Sequence, residues 1–387
     1  MLKKYVLLTC ILALLPLVAI RAGGGGTLPD LARRLLTYLD TLAVKGIDRR
    51  YIGVPENPWQ VVLRGNVNKA GLDMSSTING NDIFDLFDGD MSSDVYIQSG
   101  LETYLGVWGG YRGYGIGYSR ALGSGSEGSL LTLGMTGGCY GVNFRNHHFV
   151  TDECRVHDKG SMMGIPFDTT SVNQVTSPIH VRSIILDGYY LFNGRRFSYS
   201  AAYDQSAYQL HSAGSFMLGG MYYYGHIDYA APQNMVFMLM MDDVGQMRQW
   251  QLSVGAGYAY NYVPVKGVLI SGMLMPMVTC FNRLTTYRYN TLMKQLFLKN
   301  PTADLDKLIG DDVPEEDMMW NDEERYKTTQ MSHVTLNFNA RMSVTYNLGE
   351  RAYFNAYGQL YNFRFHHGFN SGALTEWFVN AALGIRF

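Results

Sequence analysis

Two stretches of this chain alternate apolar and polar residues for about 14 to 16 positions without a break, and no other feature restricts the fold as much. From His333 to Leu348, the apolar set Val334, Leu336, Phe338, Ala340, Met342, Val344, Tyr346 and Leu348 interleaves with His333, Thr335, Asn337, Asn339, Arg341, Ser343, Thr345 and Asn347. From Gln249 to Tyr262, Trp250, Leu252, Val254, Ala256, Tyr258, Tyr260 and Tyr262 interleave with Gln249, Gln251, Ser253, Gly255, Gly257, Ala259 and Asn261. Successive strand side chains point to opposite faces, so each stretch has one apolar wall and one polar wall. Strands of a soluble sandwich usually run about 5–6 residues. These are long enough to cross a bilayer at a tilt and continue beyond it.

The C-terminal segment repeats the pattern. Trp377, Val379, Ala381, Leu383, Ile385 and Phe387 share one face, while Glu376, Asn380, Gly384 and Arg386 lie on the other with Phe378 and Ala382. A last strand ending in an aromatic residue resembles the signal read by the outer-membrane barrel-insertion machinery, which makes that machinery an expected partner of the strand ending at Phe387. Composition agrees with half-apolar strands. Charged residues are 17% of the chain, against roughly 25% for an ordinary globular protein. Glycine supplies 43 of 387 residues, above the average near 7%, and there are 28 tyrosines. A net charge of −2 points away from nucleic acid.

The chain opens Met1-Leu2-Lys3-Lys4, runs apolar from Tyr5 to Ile20, and reaches small residues from Ala22. A basic start, an apolar core and a small-residue zone make a secretory signal peptide over 1–22. Cleavage after Ala22 fits best, with cleavage after Gly24 as the alternative. Cys10 leaves with it, so Cys139, Cys154 and Cys280 allow one disulfide at most. Gly23–Gly26 is a flexible tether. Pro29-Asp30 then open a helix with Leu31, Leu35, Leu39 and Leu42 on one face, expected either to cap the barrel or to dock on its rim. No later apolar run reaches the roughly 20 residues a membrane helix needs.

The expected architecture is therefore all-β, an antiparallel transmembrane β-barrel of about twelve strands (ten to fourteen), spanning 51–387, with a short N-terminal helix in 23–50 and residence in the cell outer membrane. The expected strands are 59–75, 93–108, 111–122, 129–146, 178–193, 196–205, 212–228, 249–263, 265–281, 332–348, 352–365 and 373–387. An even number leaves both termini in the periplasm. Counting back from Phe387 puts 109–110, 206–211, 263–266 and 349–351 on the periplasmic side. It puts 77–92, 123–128, Gly194, 229–248, 282–331 and 366–372 outside. One long connection, His147–Ser177, falls on the periplasmic side against the usual rule of short inner turns and long outer loops.

The block Arg195-Arg196-Phe197-Ser198-Tyr199-Ser200-Ala201-Ala202-Tyr203, with Ser212-Ala213-Gly214-Ser215-Phe216, resembles the Bacteroidota outer-membrane family described as domain of unknown function 4421. Asp48-Arg49-Arg50-Tyr51-Ile52 followed by Pro55 is similar to that family's entry into its first strand. The resemblance runs from about Asp48 to Phe387. It implies an outer-membrane barrel of unassigned activity and carries no catalytic residue.

Candidate chemistry is sparse. Asp82, Asp85, Asp88, Asp90 and Asp94 crowd one outer loop, where dense carboxylates can hold a hard divalent cation or simply form an open acidic loop. His147, His148, Cys154 and His157, with Asp152 and Asp158, are metal-ligand types without ordered spacing, and a polar loop accounts for them equally. His226 and Asp228 share a strand face beside Asp242-Asp243, the placement of a water-activating pair and equally of solvated rim residues. His211-Ser212 are adjacent and would point to opposite faces, which argues against a hydrolase pair. Met235, Met238, Met240 and Met241 could be soft copper ligands or an apolar strand extension.

No cofactor is expected. Lipid and lipopolysaccharide of the outer membrane are the expected surroundings. Two functions follow: a narrow passive pore for small solutes, and a closed structural or interaction barrel that displays the 282–331 loop; an outer-membrane hydrolase is third. The inward polar residues Gln249, Gln251, Asn337, Asn339, Arg341 and Thr345 favour no ion sign. The folded protein should fractionate with the outer membrane and migrate faster on gels when unheated, because a closed barrel keeps its backbone paired inside lipid. Recovery as soluble periplasmic protein would refute the barrel.

Overall fold

The computed structural model describes residues 28–79, 90–123, 128–162, 165–231, 234, 238, 244–289, 326–331, 334–367 and 370–387. The signal segment, the glycine tether and the core of the 282–331 loop lie outside these. Strands β1 (Ile52–Gly53), β2 (Trp59–Asn79), β3 (Asp90–Gln98), β4 (Glu102–Tyr111), β5 (Tyr114–Ala121), β6 (Ser129–Thr136), β7 (Tyr140–Met162) and β8 (Ile165–Leu191) form the first half. Then come β9 (Tyr208–Gln209), β10 (Ala213–Asp228), β11 (Val244–Tyr262), β12 (Val268–Arg288), β13 (Tyr326–Met331), β14 (Leu336–Leu348), β15 (Ala352–His367) and β16 (Asn370–Arg386).

Twelve of these close into a ring in the order β2, β4, β5, β6, β7, β8, β10, β11, β12, β14, β15, β16, with β16 returning to β2. At that seam the last residue exchanges two backbone hydrogen bonds with the first: Trp59 N–H donates to the Phe387 carbonyl at 3.1 Å and Phe387 N–H to the Trp59 carbonyl at 2.9 Å. The alternation read from sequence sets the facing. On β14, Met342 is 69% exposed while Asn339, three residues away on the opposite face, is fully buried in the lumen. On the outside of β11, Tyr258, Tyr260 and Tyr262 form one aromatic girdle, and Trp250 joins Tyr222 and Tyr224 of β10 in the other. Trp250 to Tyr260 covers about 34 Å of strand at ~3.4 Å per residue. At a tilt near 40° that is about 26 Å of height, the span of a lipid-facing band.

The expected count of twelve holds, but two of the expected strands do not, and their errors cancel. Ser129–Asn146 is a hairpin rather than one strand: β6 ends at Thr136 and β7 begins at Tyr140. Arg196–Gln205 is no strand at all; it turns into a helix, Tyr199–Tyr203, inside the barrel mouth. With both corrected, the connection at 137–139 and the connection at 192–212 share the rim that holds Phe387, here called the turn rim. Gly194 thus moves to that rim, and His147–Ser177 moves to the opposite, loop rim. The latter is not a loop but the paired extension of β7 and β8, which run 23 and 27 residues. Beyond the ends of β4, β5 and β6, strand β3 fills the gap by pairing with β2 on one side and β7 on the other. The flanks of the expected 282–331 loop are likewise strand, since β12 continues to Arg288 and pairs with β13.

Short turns follow their chemistry. Arg112 and Gly113 both have positive φ, 51° and 89°, as a two-residue hairpin loop requires. The N-terminal helix, Leu28–Val44, docks on that turn: Asp40 accepts from the Tyr111 hydroxyl and from Arg112 Nε, both at 2.8 Å. It lies on the rim rather than in the lumen. Cys139, Cys154 and Cys280 are all free.

Depth on the outer wall should set the cost of a charge. Met342→Arg, in mid-band, should destabilise the barrel by about 2–4 kcal/mol, and Leu348→Arg, at the turn rim, by about 0–1 kcal/mol. Denaturant titration of folding into vesicles measures both. Equal costs would contradict the outward, membrane-centre placement of Met342.

Candidate functional site

The lumen holds the most deeply buried charges of the described residues. Inward positions of strands on different sides of the ring bring Asp187 of β8 against Arg341 of β14, 2.6 Å apart and each 2% exposed. Asp187 also accepts from Asn143 Nδ2 at 2.9 Å and from the Tyr361 hydroxyl at 3.2 Å. A second cluster crosses the ring from β16 to β7. Glu376, with no exposed side-chain surface, accepts from Arg145 Nε at 3.1 Å and Ser183 Oγ at 2.9 Å, and bonds His147 Nδ1 at 3.0 Å. The other ring nitrogen of His147 lies 2.9 Å from the Tyr104 hydroxyl and 3.3 Å from Glu102. Buried charges of this kind are tolerable only when paired and hydrogen-bonded throughout. Here each carboxylate has several donors.

On the loop-rim side of these clusters the inward face turns apolar. Leu72, Ile97, Phe149, Tyr223 and Phe363 belong to one buried core, with Tyr223 and Phe363 stacked at 4.2 Å. On the turn-rim side sits the segment 192–212. Ser198 caps its short helix, accepting from the Ala201 N–H at 3.1 Å. The small Ala201 and Ala202 let that helix press on Leu269 of β12 and Ile52 of β1. Asp48-Arg49-Arg50-Tyr51-Ile52 folds under it: β1 pairs with β9, and Asp48 N–H donates to the Arg195 carbonyl at 2.8 Å. Arg50, hydrogen-bonded to Asp48, holds that carboxyl down at about 2.

Barrel side chains grip this plug from several strands. Arg386 of β16 donates to the Gln205 carbonyl from Nε at 3.1 Å and Nη2 at 2.9 Å, and to the Tyr208 hydroxyl at 3.1 Å. Asn261 of β11 donates to the Ser198 carbonyl at 2.8 Å, and Gln60 of β2 to the Asp204 carbonyl at 3.1 Å. Thr136 bonds the Asp204 carboxylate, and Arg341 bonds the Tyr199 hydroxyl, tying the plug to the first ion pair. Between plug and charge clusters lies a cavity of about 110 Å³, bordered by Arg64, Trp108, Tyr199, Tyr203, Asp204 and Gln359. The Arg64 guanidinium sits 4.9 Å over the Trp108 ring.

The residues singled out from sequence scatter. Asp82, Asp85 and Asp88 lie outside the described residues, and of Asp90 only the backbone is described, paired with Asn79. Asp94 stands 4.0 Å from His157, which bonds Asp168 at 2.7 Å on the β7–β8 extension; His157 lowers the Asp168 carboxyl below its ordinary range. His147 and His148 are not loop ligands. They are successive strand residues on opposite faces, His147 in the lumen and His148 outside, while Cys154 is inward and buried. His226 and Asp228 share a face as expected, and it is the outer one; Asp242 and Asp243 lie outside the described residues. His211 bonds the Arg50 carbonyl at 2.7 Å and Ser212 accepts from Val263 N–H at 2.9 Å, so they form no pair. Met238 is buried, and Met235, Met240 and Met241 lie outside the described residues.

Arg341 and Glu376 are legible in the sequence as residues of polar strand faces, but their partners are not. An inward charge on a membrane strand demands a counter-charge, and Arg145, His147 and Asp187 at inward positions were the available ones.

The family model described as "Domain of unknown function (DUF4421)" matches residues 66–387. No curated protein matches the chain. Among solved structures, the outer-membrane protease OmpT of Escherichia coli is similar over 86% of this chain and 97% of that one, at 7% identity and a TM-score of 0.41. The translocator domain of autotransporter NalP from Neisseria meningitidis is similar over 93% of this chain and 96% of that one, at 7% identity and a TM-score of 0.30. OprG of Pseudomonas aeruginosa is similar over 87% and 98%, at 10% identity and a TM-score of 0.26.

Removing one partner of a buried pair strands the other. Arg341→Ala should destabilise the barrel by about 3–5 kcal/mol, and Arg341→Met with Asp187→Leu by much less, since no charge is left unpaired. Urea unfolding in vesicles, followed by tryptophan fluorescence, compares them. Equal loss in both would show that the charge pair is not what the lumen depends on.

Proposed function

For a chain that belongs to the DUF4421 family, we propose the role of a closed outer-membrane barrel that acts through its loop-rim surface rather than as a passive pore. The observation that carries this is the double filling of the lumen. The plug occupies the turn-rim mouth, held by Arg386, Asn261 and Gln60, and the Leu72–Phe149–Phe363 core fills the loop-rim half. A permeant solute would have to displace both. The extension of β7, β8 and β3 beyond the ends of β4–β6 is the surface on offer, with Ile165 and Val172 exposed on β8.

The role is non-enzymatic. His226 and Asp228 face outward, and His211 and Ser212 are each engaged by a different backbone group. Assembly uses the terminal strand: the seam between Trp59 and Phe387 joins the two ends of the ring, and a strand ending in an outward aromatic residue is the element we infer the insertion machinery to handle.

Full-length protein in planar bilayers should give no stable conductance step. Insertion is verified in parallel with Lys159→Cys, in a background with Cys139 and Cys280 replaced by Ser. That site should be labelled on intact cells, and Arg351→Cys only after permeabilisation. A steady ohmic step from wild-type protein would overturn the closed barrel in favour of the pore.

A further inference from the structure

The outer wall carries a basic row that the lumen chemistry does not use. In the ladder, His148 of β7 is directly opposite Arg182 of β8, Arg182 opposite His226 of β10, and His226 opposite Arg248 of β11. All four are at outward positions, because their neighbours Phe149, Val181, Ser183, Ile227 and Gln249 are the buried, inward ones. Directly opposed side chains lie about 4.5–5.5 Å apart at Cβ, so the two guanidiniums and the two imidazoles form one continuous polar strip on the outer wall. The guanidiniums, always charged, call for an anion.

For Arg182 and Arg248 the described residues supply little of one. Arg182 donates its Nε to Asn146 at 3.0 Å, and its two terminal nitrogens have no acceptor among the described residues. Arg248 donates to the Tyr287 hydroxyl and the Gln246 side-chain oxygen, both neutral and both at 3.1 Å. Its Nε, and Nε2 of His226, are buried without a partner among the described residues. The nearest carboxylate along these strands, Asp228, is two residues further on β10, where Gln246 Nε2 and the Ala230 N–H already bond it.

The position identifies the missing group. On β10 and β11 the row comes immediately after Tyr224 and Trp250, whose rings meet at 4.8 Å in the loop-rim aromatic girdle. Aromatic girdles mark the headgroup level of a bilayer. Arginine at that level is suited to phosphate oxygens, which accept two parallel N–H bonds from one guanidinium. Three strand spacings make the row about 14 Å wide at ~4.8 Å each. That width exceeds the reach of a single phosphate and suits a headgroup with two, spaced by a sugar whose hydroxyls find Asn146 and Gln246 at the edges.

We propose that His148, Arg182, His226 and Arg248 bind the phosphates of a phosphorylated glycolipid in the surrounding leaflet. The site lies outside the lumen and stands whether or not the barrel conducts.

The test refolds full-length protein into phosphatidylcholine vesicles carrying lipid A, carrying phosphatidylglycerol, or carrying neither. After extraction into detergent, retained lipid is counted by native mass spectrometry. Lipid A should stay on the wild-type barrel, and Arg182→Gln with Arg248→Gln should lower retention roughly tenfold or more, the loss of charge-assisted hydrogen bonds. Arg182→Lys with Arg248→Lys should keep part of it, and Lys266→Gln with Arg351→Gln at the turn rim should leave it unchanged. Each variant must first show heat-modifiable mobility, and the Lys pair serves if the Gln pair does not fold. Equal retention by the Gln pair, or by lipid A stripped of its phosphates, would overturn the phosphate site. Phosphatidylglycerol retained as well as lipid A would overturn the glycolipid assignment.

Discussion

Inside a bilayer no water waits for an unpaired backbone N–H or C=O, and everything else in this protein depends on how that constraint is met. The ring meets it by leaving no edge. β16 returns to β2 over a ladder from Gln60–Arg386 to Ser76–Asn370, and β11 to β12 closes the far side despite a register shift at Leu252/Ser253. Closure then dictates polarity. With lipid outside, the apolar half of each alternating strand must face out, and the polar half has nowhere to go but in. A soluble protein would bury Leu252, Val254 and Met342; this one shows them to lipid and buries Gln251, Ser253 and Arg341.

A polar interior must find most of its partners inside the barrel. The lumen arranges them in layers: a plug at one mouth, a small cavity, two cross-ring charge clusters, and an apolar layer towards the loop rim, with Asn68 and Arg145 Nη2 among the buried groups left without a partner in the described residues. The charge clusters span strands that are not neighbours in the ladder, β8 to β14 and β7 to β16. They therefore fix the cross-section of the barrel in a way that backbone pairing alone does not. The plug is bonded through its backbone carbonyls, those of Ser198, Ala202, Asp204 and Gln205, and through the side chains of Tyr199, Asp204, Tyr208 and Gln209.

Most of the fold was legible because period two over a dozen residues has one structural meaning. Facing, girdles and the terminal strand all follow from it. Two segments misled. Phe197, Tyr199, Ala201 and Tyr203 alternate with Ser198, Ser200 and Ala202, which reads as strand; but Tyr199 and Tyr203 are also one helical turn apart, and in the fold their rings meet at 4.4 Å. Seven residues do not distinguish the two periods; the Ser198 cap on the Ala201 N–H is a local helix signal, but the packing of Ala201 and Ala202 on Ile52 and Leu269 is tertiary. The Gly137-Gly138 pair was the missed turn signal in 129–146. The charge clusters were half visible: sequence can place Arg341 and Glu376 on the inner wall, but not pair them with residues more than 150 positions away. The outer basic row was least legible, since it exists only through register.

The plug's central anchor belongs to the end of the chain. Gln205 is held by Arg386, one residue from the terminus, on the strand that must join β2 before the ring exists. Until that strand is in place the Gln205 carbonyl has no guanidinium to accept from. The plug's residues are tethered at both ends between β8 and β10, and Arg386 adds a tie from the strand that closes the ring. The Arg386–Gln205 contact thus couples the mouth of the barrel to its circumference: with that strand loose, the plug would lose this tie and keep those from Asn261 and Thr136.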